Sequence, residues 1–153
     1  MMSSIALSYV INLLARREYS EFELRNKMQE KAFSEPEIDE VITHCQQKNW
    51  QNDKRFAENY LHYRSQRGYG ENRIRQELKH LKGVPSAIIT EVFAECDINW
   101  SELAFVVLRK KFPNYIEKHS PKIKQKIWNY MLSHGFSSEQ FSHFIGNESA
   151  FFE

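Results

Sequence analysis

The chain is poor in the residues that build covalent or metal-held chemistry. Its 153 residues include only two cysteines, Cys45 and Cys96, in unrelated contexts, so neither a disulfide framework nor a metal-binding spacing can be assembled from them. A reducing, cytoplasmic setting follows as the expectation. Of five glycines, Gly68 and Gly70 flank a single tyrosine and follow no strand, which excludes a phosphate-binding loop or a dinucleotide site. Long apolar runs are missing: Ile5–Leu14 is too short and too interrupted to span a membrane, and Met1–Ser4 lacks the basic start of a secretory leader. Alternating β-branched stretches are missing as well, so no strand is expected. The six histidines, His44, His62, His80, His119, His134 and His143, are scattered. His44 and Cys45 project about 100° apart on a helix, and the His134–His143 interval crosses a turn with no further ligand close by. The carboxylates sit mostly at helix starts, where capping explains them. No metal, no cofactor and no catalytic constellation is expected.

What is present is repetition. A polar or glycine helix start is followed by apolar residues about four, five and five positions apart, three times: Leu24, Met28, Phe33, Ile38; then Ile74, Leu78, Val84, Ile88; then Ile127, Met131, Phe136, Phe141. In the second copy the third member comes one place late and the fourth follows after four. A step of four keeps two residues on one helix face, and a step of five to a hydrophobe carries the chain over a short break into the next helix. Repetition at about fifty residues predicts an all-α fold of three tandem three-helix repeats in an elongated, curved array, divided as 1–49, 50–97 and 98–153. Such arrays present surfaces to partners.

Helix starts and stops fill in the nine helices. Ser4 is expected to cap the first, with Leu7, Val10, Ile11 and Leu14 inward and Arg16–Arg17 at its negative end. Ser20 with Glu23 forms a capping box for the second. Ser34, with Pro36 in the first turn, opens a third whose stripe is Ile38, Val41, Ile42 and Cys45. Asn52–Asp53 opens the fourth, carrying Phe56, Tyr60, Leu61 and Tyr63 and ending at Arg67–Gly68. Gly70 begins the fifth, with Ile74, Leu78 and Leu81 inward and Gly83 as its stop. Pro85 starts the sixth, bearing Ile88, Ile89, Val92 and Phe93. Leu103, Val106 and Val107 stripe the seventh, which Pro113 ends. Ser120–Pro121 opens the eighth through Ile123, Ile127 and Met131 to Gly135. Ser137 or Ser138 caps a short ninth with Phe141, Phe144 and Ile145. Trp50 and Trp100 stand at matching places near the starts of units, and both, with Trp128, are expected as buried plugs between units.

Net charge is +1, yet unevenly spread. Residues 51–90 carry eight basic residues (Lys54, Arg55, Arg64, Arg67, Arg73, Arg75, Lys79, Lys82) against four acids (Asp53, Glu58, Glu71, Glu77). Arg75, Lys79 and Lys82 fall at i, i+4 and i+7 on one helix face. Arginine, suited to bidentate contacts with carboxylate or phosphate, outnumbers lysine here. Tyr63 and Tyr69 lie among these residues as interface partners or, for Tyr63, as core. Arg64, Arg67, Arg73, Arg75, Lys79 and Lys82 are the candidate partner-binding residues, facing an acidic protein surface or DNA phosphates. The near-neutral total argues against a general polyanion binder.

The stretch Asp53-Lys-Arg55-Phe56-Ala57, then Tyr60, Arg64, Gly68-Tyr-Gly70, Arg73-Ile74, Glu77-Leu78 and Gly83-Val84, resembles the core signature of the RecX family. Ser20-x-x-Glu23-Leu24 with Lys27-Met28 resembles that family's first repeat. Cys96-Asp97-Ile98-Asn99-Trp100 and Lys122-x-Lys124 leading to Gly135-Phe136 are similar to its third. Gln51-Asn52, Ala32 and His134 depart from it, standing where the family commonly has an apolar residue and an acid, a glycine and an arginine. The resemblance covers nearly the whole chain. It implies a monomeric, non-enzymatic negative regulator of the RecA recombinase. Such a protein binds RecA filaments on single-stranded DNA, lowers ATP hydrolysis and strand exchange, and so modulates recombination, DNA repair and the SOS response. Direct contact with DNA stays open. A helical nucleic-acid-binding protein acting on DNA without RecA is the alternative.

Overall fold

The computed structural model describes residues 2–114 and 120–146. Among them the chain forms nine α-helices and no strand: α1 Ser4–Leu14, α2 Glu21–Glu30, α3 Glu35–Gln47, α4 Asp53–Gln66, α5 Glu71–Gln76, α6 Ser86–Glu95, α7 Trp100–Lys111, α8 Pro121–Ser133 and α9 Ser138–Phe141. A π-helical turn, Glu77–Leu81, continues α5, and a 3-10 turn, Ser142–Phe144, continues α9. Serine oxygens start several of the helices, and Asn52 and Asn99 start α4 and α7. Ser20 and Ser34 close capping boxes with Glu23 and Glu37, and Ser120 accepts from the Ile123 N–H. The first cap is Ser3, one residue earlier than expected.

The threefold pattern has a backbone cause. At the end of α2, Ala32 takes φ 62°, and the Phe33 N–H bonds back to the Met28 carbonyl at 3.2 Å. At the end of α8, Gly135 takes φ 98° and the Phe136 N–H reaches the Met131 carbonyl at 3.1 Å. Each is a left-handed helix stop that turns the next hydrophobe back onto the bundle. In the middle copy Gly83 takes φ 63° and the Val84 N–H reaches the Leu78 carbonyl at 2.9 Å, one residue farther along the chain. The π-turn absorbs the surplus residue, with the Lys82 N–H donating to the Glu77 carbonyl at 3.1 Å. This explains the late third member. It also corrects two expectations: widening the helix turns Leu81 outward, where it is 63% exposed, and the fourth member is the buried Ile89, five after Val84, while Ile88 is only half-buried.

The chain divides into two compact units. The first comprises Met1–Tyr60 and Glu77–Glu95. One of its cores closes α1 against α2 and α3, around Leu24, Met28 and the expected α3 stripe of Ile38, Val41, Ile42 and Cys45. Helix α1 has two apolar stripes, and the one buried is Ala6, Val10 and Leu13; Leu7 and Leu14 flank it and Ile11 faces outward. Polar clamps complete the unit. The Ser20 hydroxyl donates to the Lys82 carbonyl at 2.7 Å, and the Glu21 N–H donates to Asp53 Oδ1 at 2.9 Å. Buried Gln51 donates to the same Asp53 oxygen and to the Tyr19 carbonyl. Trp50 is 43% exposed and meets His44 edge-on, so it is not a buried plug.

The second unit comprises Leu61–Gln76 and Cys96–Glu153. Its core gathers Ala104 and Leu108 from α7, Ile127, Trp128 and Met131 from α8, and Phe136 and Phe141 beyond. Trp128 meets Phe141 at 5.1 Å inside this core and Trp100 packs at its margin, each serving its own unit. The expected α7 stripe is corrected: Ala104 and Leu108 point inward, Leu103 and Val107 are partly buried, and Val106 is 59% exposed.

Candidate functional site

The site begins where two helices of the second unit meet end to end. The last carbonyls of a helix lack partners within it. Here the Gly70 N–H donates to the His134 carbonyl at 2.6 Å, and the Asn72 N–H to the Gly135 carbonyl at 3.0 Å. Arg73 donates to the Ser133 carbonyl at 3.2 Å. The positive start of α5 thus caps the negative end of α8. Only glycine permits the approach: a Cβ on Gly70 would lie 2.6 Å from the Gly135 carbonyl carbon.

This junction aligns a column of rings. Tyr130 stacks on His134 with centroids 3.9 Å apart, and His134 stacks on Tyr69 at 5.3 Å with planes 6° apart. The Arg64 guanidinium lies 3.9 Å from the Tyr69 centroid and that of Arg73 4.5 Å, within cation–π range. His134 Nδ1 is 3.0 Å from the Tyr130 carbonyl, which can only accept, so that nitrogen carries hydrogen. Burial lowers the His134 pKa. The Tyr130 hydrogen bond opposes this, while the charges of Arg73 and Lys111 add to it, so the neutral imidazole is favoured. The position expected from the RecX resemblance to hold an arginine is here a stacked imidazole.

Beside the column, the end of α4, the outer face of α7 and the end of α8 enclose a groove of about 380 Å³. Leu103, Val106 and Val107 form its floor and Arg67, Lys110 and Lys111 its rim, with Tyr130 and His134 at one side. None of the described residues lining it is acidic. Spacing explains the face: 103, 106, 107 and 110 are i, i+3, i+4 and i+7 on α7. The expected stripe of Leu103, Val106 and Val107 is therefore a real helical face: Leu103 and Val107 pack against the core at its margin and also line the groove, and Val106 faces the groove alone.

The six candidate residues fall into distinct environments. Arg64 and Arg73 brace the ring column. Arg67 lines the groove and donates to the Tyr63 hydroxyl at 2.7 Å, Tyr63 itself being exposed and not core. Arg75 pairs with Glu71 at 2.8 Å. Lys79 is exposed on the π-turn. Lys82 belongs to the first unit, where it pairs with Glu23 at 3.1 Å as a strut. The π-turn breaks the i, i+4, i+7 face drawn through Arg75, Lys79 and Lys82. Lys110 and Lys111 were missed by sequence reasoning as groove residues, and Val106 was named only as part of an inward stripe. Their signal was available in a hydrophobic helix carrying two adjacent apolar faces, one of them ending in Arg109-Lys110-Lys111. Among the described residues no group of histidine, cysteine, aspartate and glutamate could hold a metal, and no helix is long and apolar enough to cross a membrane.

The helices and their stops define an all-helical protein built from tandem three-helix domains. Models of the RecX first, second and third three-helix domains match residues 6–45, 52–92 and 100–145. The chain belongs to the RecX family. Curated relatives named Regulatory protein RecX include that of Haemophilus influenzae strain PittEE, 64% identical over 97% of this chain and 98% of the relative. That of Pasteurella multocida strain Pm70 is 64% identical over 95% of this chain and 89% of the relative. The crystal structure of RecX from Lactobacillus salivarius superposes with a TM-score of 0.80 at 22% identity, covering 93% of both chains. A second crystal structure, of regulatory protein RecX, gives 0.80 at 21% identity over 92% of this chain and 71% of that one.

Proposed function

We propose that this chain is a cytoplasmic, non-enzymatic regulator that binds, as a monomer and without a cofactor, to filaments of the RecA recombinase on single-stranded DNA. It lowers their ATP hydrolysis and strand exchange and so modulates recombination, DNA repair and the SOS response. The observation that carries this reading is membership of the RecX family through all three three-helix domains. In this reading the repeats are 1–49, 50–97 and 98–153. Arg64, Arg67, Arg73, Arg75, Lys79 and Lys82 supply positive charge toward the filament, by unequal routes. Arg67 and Lys79, both exposed, make direct contact, and Arg64, Arg73, Arg75 and Lys82 hold the local structure that presents them.

The test adds the protein, well below RecA stoichiometry, to preformed filaments on single-stranded DNA and follows ATP hydrolysis. A progressive fall supports the reading. No fall at equal stoichiometry, with DNA binding intact, replaces it by a DNA-binding protein that acts without RecA. Charge reversal at Arg67 and Lys79 together is expected to weaken filament binding while leaving the helical circular-dichroism signal unchanged. Reversal at Arg73 is a poor probe, because it would place a carboxylate against the Ser133 carbonyl. Undiminished binding by the folded double variant removes those two residues from the contact.

A further inference from the structure

The groove on α7 has a composition that selects its occupant. Its floor is aliphatic, and Val106 lies exposed on a helix whose other face already supplies Ala104 and Leu108 to the core. Its rim is cationic: Lys110 and Lys111 enter no ion pair among the described residues, and the lining holds no carboxylate to neutralise them. Its volume of about 380 Å³ lies in the range of ligand-binding clefts, roughly 300–1,000 Å³. Two classes of polyanion could meet such a rim. Single-stranded nucleic acid needs aromatic faces on which bases stack. Here the rings are spent on one another, Tyr130 on His134 and His134 on Tyr69, with guanidinium groups against Tyr69. What the groove offers instead is an aliphatic strip with charge along its edge. That is the complement of an amphipathic segment whose apolar face is bordered by carboxylates.

We propose that the groove of Leu103, Val106, Val107, Arg67, Lys110 and Lys111 is a docking site for a carboxylate-bearing amphipathic segment of a protein partner. The proposal rests on the reading above that the chain acts on a protein, and it names the chemistry of the segment that is bound. Apolar side chains of the segment cover Val106, and its carboxylates meet Lys110, Lys111 and Arg67.

The test titrates the full-length, isotope-labelled protein with a short synthetic helix-forming peptide bearing leucine at i, i+3, i+4 and i+7 and glutamate elsewhere. Its lysine-for-glutamate counterpart and an oligothymidylate are titrated in parallel. Amide shifts gathered on 66–68 and 103–111 with the glutamate peptide alone are expected. Val106→Glu, at an exposed position that leaves folding intact, and Lys110→Glu with Lys111→Glu are each expected to weaken that binding at least about tenfold. Binding of oligothymidylate at the same amides more tightly than the glutamate peptide, equal binding of both peptides, or no peptide binding there would each overturn the proposal. Filament inhibition is read separately by ATP hydrolysis, so loss of the RecA reading and loss of the groove assignment give different results.

Discussion

At the scale of single residues, Ala32 is the place where this chain bears a local cost. Its φ of 62° is the left-handed conformation, in which the Cβ of an L-residue crowds the following carbonyl, at about 1–2 kcal/mol. At the equivalent stops of α5 and α8 the chain has Gly83 and Gly135. Ala32→Gly is therefore expected to stabilise the protein by about 0.5–1 kcal/mol, after the extra unfolded-state freedom of glycine is subtracted, as read from urea unfolding midpoints. Glu23 is the opposite case. Burial alone would raise its pKa, but hydrogen bonds from Arg17, the Ser20 N–H and Lys82 hold it below the ordinary carboxylate value. A carboxyl depressed in the folded state contributes stability in full above its unfolded pKa and loses it as pH falls through the folded one. Glu23→Gln should thus cost about 1–2 kcal/mol near pH 7. Wild type and variant should converge in stability as the solution is taken into acid below the ordinary carboxylate range. Asp53 shifts the other way: desolvation raises its pKa despite the Glu21 N–H and Gln51 bonds, so it offsets part of this acid sensitivity.

At the scale of elements, most of the architecture is written in local chemistry. Serine caps, left-handed stops and the i, i+4 apolar pairs are all short-range, which is why Ser20, Ser34, Gly83, Gly135 and the α3 stripe stand where periodicity puts them. Choices between adjacent apolar faces are not local. Helix α1 could bury either of two stripes, and α7 has one face for the core and another for the groove; only the neighbouring helices decide. The ring column was illegible for the same reason, because it joins residues 69 and 134 through a contact between two helix ends. The π-turn was half-legible, as a spacing one residue too long. It gives a test in which the length of an element is changed. Deleting His80, exposed within the π-turn, should let the helix close with ordinary geometry and leave cooperative unfolding intact by circular dichroism. Deleting the exposed Glu40 from α3 rotates Val41, Ile42 and Cys45 by about 100° out of the core and should abolish folding of the first unit.

At the scale of the whole chain, two units each hold a core of their own, so damage is expected to be local before it is global. Leu108→Ala, which empties a fully buried position, should cost about 2–5 kcal/mol. In native-state hydrogen exchange its first effect is expected in the amides of α7, α8 and α9. Charge is divided in the same manner: a total of +1 coexists with a groove whose charged lining residues, Arg67, Lys110 and Lys111, are all cationic, so net charge says little about what any one face will accept. The surplus residue held in the π-turn has a consequence for reading the chain's history. Comparing the three copies at a constant step keeps phase as far as Leu78 and then loses it, since every later position of the middle copy is offset by one. A consensus averaged across the copies would blur the stop, the hydrophobe after it and the next helix start together. The duplication is recovered by aligning helix endings, which the backbone marks three times, and not by counting residues.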